Sequence, residues 1–159
     1  MSKQIYPDIN QVVVFTLDDI FYALPLDNVI RVIHVVGITQ LPKAPDIIAG
    51  IINVKGQIIP VVDIRKRFGV SSREIDPNDQ FIIADTGKRQ IALWVDTVSG
   101  IEKIVSPQHI DTRETLPYAE FIRGVAKIEN ELILIYDLEQ CLNLNEDREL
   151  GQALSNRLE

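Results

Sequence analysis

The residues able to do chemistry in this chain are few and scattered. Two histidines, His34 and His109, stand alone. Neither has a second histidine four residues on or a Cys-x-x-Cys pair nearby, the spacings that bring two ligands to one metal. His34 reads as a packing or capping residue at a strand edge, and His109, after Ser106-Pro107-Gln108, as part of a turn. Cys141 is the one cysteine, so it forms no internal disulfide and no cysteine-based zinc site. It lies on an apolar helical face, where a thiol is ordinarily inert core. Trp94 reads as a core or inter-unit residue. Asp63 and Asp137 resemble paired acids, but each closes a matching segment and suits a helix N-cap. No serine sits in G-x-S-x-G, and the run Gly50 to Gly56 continues with Gln57, not the Lys-Ser of a phosphate loop. No catalytic residue, cofactor or metal ligand is expected. An enzymatic or small-ligand β-barrel is the alternative. It would have to draw on His34, Cys141 and Trp94, and requires all three to converge on one pocket.

The elements that would position such residues come in two copies. Gln11-Val12-Val13-Val14, a polar turn and Ala23 to Val29 return as Gln80-Phe81-Ile82-Ile83, a turn and Ala92 to Val98. Gly50 to Ile64 returns as Gly124 to Leu138. Val12 to Leu17, Phe21 to Leu26 and Val29 to Val36 are rich in β-branched and aromatic residues, and Asp18-Asp19 breaks them as a turn. Lys55-Gly56 reads as a tight hairpin, Pro60 demands an edge or bulge, and Leu41 to Pro45 is loop because its prolines exclude helix. Asp63 caps a short helix over 64–68 that Gly69 ends, and Asp137, with Gln140 three residues on, repeats the move. Arg65-Lys66-Arg67 reads as the wet face of that helix. Leu150, Leu154 and Leu158 recur every fourth residue and predict a C-terminal helix over 144–159. Many short strands and little helix point to small β-barrels. The expected division is a segment 1–10, a first unit over 12–70 and a second over 80–136. Each is too small for a comfortable core alone, so the two should pack together around a groove. Gly50 and Gly124, at matched positions, mark either a bulge needed for folding or a place where a partner comes close.

Composition narrows the partners. The 159 residues, 46% of them hydrophobic, suffice for a core, and a formal charge of −7 argues against phosphate backbones and anionic lipid. Nucleic acid and membrane insertion are not expected. No signal core or spanning run is present, and a cytoplasmic location follows.

At Phe15-Thr16-Leu17, Tyr22 to Leu26, Val29, Leu41-Pro42 with Pro45, Gly50 to Arg65 and Arg67-Phe68-Gly69, the chain resembles a CheW-type chemotaxis adaptor. The likeness continues through Val95 to Val98 and Leu132 to Leu138, and covers about residues 11–143. It implies two tandem SH3-like five-stranded barrels in an all-β fold with a few short helices. It also implies a non-catalytic adaptor that couples a chemoreceptor's cytoplasmic tip to a CheA-type histidine kinase. Carried over by position, the receptor groove would hold Val29, Arg31, Gly50, Lys55, Val98 and Gly124. The kinase would dock at a barrel end through apolar contacts. Two positions depart from the family's pattern: Arg31 stands where a glutamate is common, and Lys55 where an arginine is. Lysine keeps the charge but loses the bidentate fork, whereas Arg31 reverses the sign. The departures imply a paralogue with an altered receptor partner, such as one serving another motility array.

Overall fold

The computed structural model describes residues 11–104, 121–128 and 130–158. His109, and the expected segment 1–10, lie outside the described residues. Ten strands run β1 (Gln11–Leu17), β2 (Ile20–Pro25), β3 (Val29–His34), β4 (Ile48–Val54), β5 (Gln57–Val62), β6 (Gln80–Asp85), β7 (Gln90–Val95), β8 (Thr97–Lys103), β9 (Ile122–Ile128) and β10 (Glu131–Tyr136). Helix α1 spans Arg65–Phe68 and α2 spans Leu144–Leu158.

The strands form two five-stranded sheets, ordered β8-β1-β2-β10-β9 and β3-β6-β7-β5-β4. Each curls into a barrel, here named for its first strand in the chain: the β1 barrel and the β3 barrel. The repeat maps β1–β5 onto β6–β10, and under that mapping one sheet order becomes the other. Each barrel is therefore a hairpin from one copy (β1–β2 or β6–β7) and three strands from the other. This corrects the expected division at 12–70 and 80–136. The units do not fold side by side but exchange hairpins, so neither copy contains a complete barrel. The exchange is closed by two short parallel pairings, Leu134 with Tyr22 and Val61 with Ala92, and everything else is antiparallel.

The arrangement explains why the strands read as unbroken apolar runs. Along β7, Ala92 and Trp94 enter the β3 barrel's interior while Ile91, Leu93 and Val95 face a core between the barrels. Along β10, Ile133 and Ile135 fill the β1 barrel while Leu134 and Tyr136 face the same central core. Period-two alternation is present, but both faces are buried, so it does not show as polar against apolar.

The turns follow their chemistry. Lys55 (φ 52°) and Gly56 (φ 87°) both take positive φ, as a two-residue hairpin with the strands' own twist demands, and Asn53 Oδ1 accepts the Gly56 N–H at 2.8 Å. Asp18 and Asp19 do the same between β1 and β2. Pro60 lies in β5, an inner strand, but the pairing of β5 with β7 covers only Val61 and Val62, so its missing donor leaves no ladder bond unmade. Helix α1 begins one residue later than expected, with Ile64 and not Asp63 at the N-cap position and no side-chain cap bond; Asp63 still accepts the Arg65 N–H at 3.2 Å, and Gly69 (φ 67°) ends the helix. Asp137 caps a 3₁₀ turn, Leu138–Gln140, rather than an α-helix, accepting the Glu139 N–H at 3.1 Å. Helix α2 packs on its own barrels, with Leu150 and Ala153 buried in the central core and Leu154 partly so. Arg67 to Glu146 and Arg89 to Asp147 are ion pairs that pin it.

Candidate functional site

Matched strands β3 and β8 border the junction between the barrels. Val29 pairs with Ala84 on β6 and Val98 with Phe15 on β1, and both valines lean half-buried on the central core. The Val98 N–H donates to Gln80 Oε1 at 2.8 Å, which ties β8 of one barrel to β6 of the other. Arg31 is exposed and paired with Ile83, just after a register shift in β3. Around it Ile30, Val32 and Val36 are exposed as well. Lys55 is exposed at the tip of the β4–β5 hairpin. That hairpin is brought alongside the run leaving β3 by the bridge between Thr39 and Ile51. Ile33, Val35, Ile38 and Val54 pack on one cluster as a result. Val29 and Arg31, on β3, and Lys55, on the β4–β5 hairpin, thus belong to the β3 barrel, and Val98, on β8, to the β1 barrel.

The two glycines fall elsewhere. Gly50 is buried, and its φ of 152° follows a register shift between Ile48 and Gly50. A Cβ there would stand 2.4 Å from Ile38 Cγ2 and 2.5 Å from the Thr39 carbonyl oxygen. What comes close to Gly50 is the chain itself. Gly124, half-buried on β9, follows the matching shift against Ile135 and Tyr136, in the other barrel from Gly50.

Position also decides the alternative set. Trp94 lies inside the β3 barrel, Cys141 is fully buried in the central core, and His34 is exposed at the end of β3. The three lie in different parts of the fold, and none lines the open cleft of about 370 Å³ between the β6–β7 turn and the Leu138–Gln140 turn. Burial pushes the Cys141 thiol up to about 11, and with it goes the thiolate a nucleophile needs. Among the described residues no group of three or more His, Cys, Asp or Glu could hold a metal.

Sequence reading missed a charged cluster beneath this surface. Arg65 is not on a wet face: it is fully buried, its guanidinium 4.9 Å from the centre of the Trp94 ring. It ion-pairs with Asp96, and Asp96 Oδ1 also accepts from Arg73 Nη2 at 2.6 Å. Asp96 Oδ2 accepts the Asp18 N–H at 2.8 Å, and the Asp96 N–H donates to the Thr16 carbonyl at 3.0 Å. One carboxylate therefore joins the β1–β2 turn, α1, the segment before β6 and the crossover from β7 into β8. Arg73 also clamps Asp79 through two nitrogens at 2.8 Å, and Trp94 Nε1 donates to the same carboxylate at 2.8 Å. Burial alone would push Asp79 up, but the bonds from Arg73, the Asp76 N–H and Trp94 together hold it below the usual carboxylate range. Asp63 is moved the other way, raised by burial against the opposing pull of Arg65. The signal was available: a carboxylate ending the apolar run Ile91 to Val95 needs a cation, and Arg65 is the one the fold delivers.

With this geometry fixed, the chain can be set beside known proteins. The family model described as the CheW-like domain matches residues 11–146. The chain belongs to the CheW-like domain family. A chemotaxis protein CheW from Thermotoga maritima is 30% identical over 132 residues, covering 83% of this chain and 87% of that protein. A second, from Klebsiella aerogenes, is 26% identical over 136 residues, covering 84% and 81%. The crystal structure of the scaffolding protein TtCheW from Thermoanaerobacter tengcongensis is similar with a TM-score of 0.77 and 34% identity, covering 86% of this chain and 94% of that one. The CheW-like domain here is the expected all-β fold of two five-stranded SH3-like barrels with a C-terminal helix.

Proposed function

We propose that this chain is a non-catalytic cytoplasmic adaptor that couples the cytoplasmic tip of a chemoreceptor to the regulatory domain of a CheA-type histidine kinase. The observation that carries the reading is membership of the CheW-like family across residues 11–146, with relatives named as chemotaxis proteins and a structural neighbour named as a scaffold. Among the described residues no helix is long and apolar enough to cross a membrane, which suits a protein recruited to receptors rather than one embedded beside them.

The two partners take two surfaces. The receptor tip lies along β3 and the β4–β5 hairpin, against Val29, Arg31 and Lys55, with Val98 across the junction. Gly50 shapes β4, which carries the Lys55 hairpin, and acts through fold rather than contact, while Gly124 shapes β9 of the other barrel. The kinase docks on the end of the β1 barrel. There the β2–β10 ladder runs out of the central core, and Ile20 and Leu132, one residue pair beyond Tyr22 and Leu134 on the same faces, stand 51% and 57% exposed. Two adjacent apolar side chains at an open strand end are suited to a protein contact.

Gel filtration and calorimetry with a matching kinase regulatory domain and a receptor-tip fragment test this. We expect Leu132→Glu to lose kinase binding and keep the tip, and Lys55→Glu to weaken the tip and keep the kinase, each with its thermal midpoint nearly unchanged. Failure to bind either partner at about 50 μM, a concentration that detects weak signalling contacts, would sink the reading.

A further inference from the structure

The repeat that sets β1–β5 against β6–β10 also matches the turn Leu17-Asp18-Asp19 with Thr86-Gly87-Lys88. It matches Ile64-Arg65-Lys66 and Phe68 with Leu138-Glu139-Gln140 and Leu142. Asp18 and Arg65, of the first set, meet in the buried clasp through Asp96. The second set, together with Asp147, lines the open cleft of about 370 Å³. One place in the repeated scaffold is therefore filled in one copy and open in the other.

The difference lies in the charges. In the clasp the Asp18 N–H holds Asp96 Oδ2 at 2.8 Å. The matching Gly87 N–H is taken at 2.7 Å by Asp85 Oδ1 of its own turn, and Asp27, the match of Asp96, does not line the cleft. The cations are exchanged too. Glu139 stands where Arg65 stands, and Asp147 borders the cleft from beyond the Leu138–Gln140 turn, as Arg73 enters the clasp from beyond α1. Two guanidiniums around one carboxylate in the first copy become two carboxylates around open space in the second.

We infer that this cleft binds a free basic amino acid of the arginine type. Its guanidinium would lie between Glu139 and Asp147, its methylene stem on Leu138 and Leu142, and its carboxylate at Lys88. Lys88 and Glu139 are exposed and enter no ion pair among the described residues, so both charges are open to a ligand. Asp147 Oδ1 accepts from Arg89 Nε at 3.0 Å, yet one carboxylate of this chain serves two guanidiniums, as Asp96 does for Arg65 and Arg73. Leucines beneath charges of both signs suit a zwitterion with an aliphatic stem, and the volume falls in the range of small-molecule sites. The cleft shares no residue with the surfaces proposed for receptor and kinase, so the inference does not depend on the adaptor reading.

The test titrates the full chain at low salt with free arginine, with agmatine, which keeps the guanidinium and lacks the carboxylate, and with glutamate. Calorimetry measures affinity, and amide shifts locate the site. Arginine should bind with a Kd of about 1 mM or tighter and move the amides of Gly87, Lys88 and Gln140. Agmatine should bind about fivefold more weakly, and glutamate not at all. Glu139→Gln should cut arginine affinity about tenfold. Lys88→Gln should lower arginine to the level of agmatine and leave agmatine unchanged, a result that loss of fold would not give. Four results would overturn the inference: no arginine binding at about 10 mM, shifts confined to other parts of the chain, glutamate binding as well as arginine, or indifference to Glu139→Gln.

Discussion

Strands β3 and β8 occupy the same place in the repeat, border the same junction and lean on the same central core through Val29 and Val98. They differ in what they offer outward. β3 presents Ile30, Arg31 and Val32, whereas β8 presents Thr97, Ser99, Ile101 and Lys103 around a glycine, Gly100. The aspartates next to them differ as sharply. Asp27, before β3, is exposed and free of ion pairs, while its counterpart Asp96, before β8, joins four segments. Duplication preserved the positions that build the barrels and released those that do not. One copy took up the structural clasp and the other the unpaired charge.

The largest way to break this symmetry is at the aspartates. Asp96→Asn should cost about 3–5 kcal/mol, because it strands the buried Arg65 guanidinium, whose Nε and Nη1 already lack hydrogen-bond partners. Asp27→Asn should stay within about 0.5 kcal/mol. Urea melts of the two variants compare them directly, and equal losses would show that Asp96 is no clasp.

Next in size is Gly50→Ala. It forces a Cβ against Ile38 and Thr39 at positive φ and should cost about 1–3 kcal/mol. Gly37→Ala, where nothing lies within 4 Å, should be nearly silent by the same thermal assay.

The smallest effect is on acid stability. Asp79 has its folded pKa below the ordinary aspartate value of about 3.8, so the stabilisation it gives is complete above that value and is lost as pH falls through the lower folded one. Asp79→Asn should therefore flatten the acid limb of a stability-against-pH curve below about pH 4. An unchanged limb would assign acid unfolding to other carboxylates.

Much of this was legible in the residues. The β-branched runs, the Asp18-Asp19 and Lys55-Gly56 turns and the cap at Asp137 are local, set by φ preference and side-chain reach over a few positions. The two copies were legible because repetition is a property of sequence. Which strand pairs with which was not. Both copies carry the same hairpin, and no local preference says whether β1–β2 closes on β3–β5 or on β8–β10. That choice rests on pairings between residues about a hundred positions apart, such as Tyr22 with Leu134. Nor could the basic run at α1 be divided in advance, since Arg65 faces inward only because Asp96 and Trp94 arrive from β7. The sequence by itself determined strands, turns and a doubled barrel scaffold. Only the tertiary structure decided the hairpin exchange and the buried clasp, because both depend on long-range contacts that no short stretch of chain encodes.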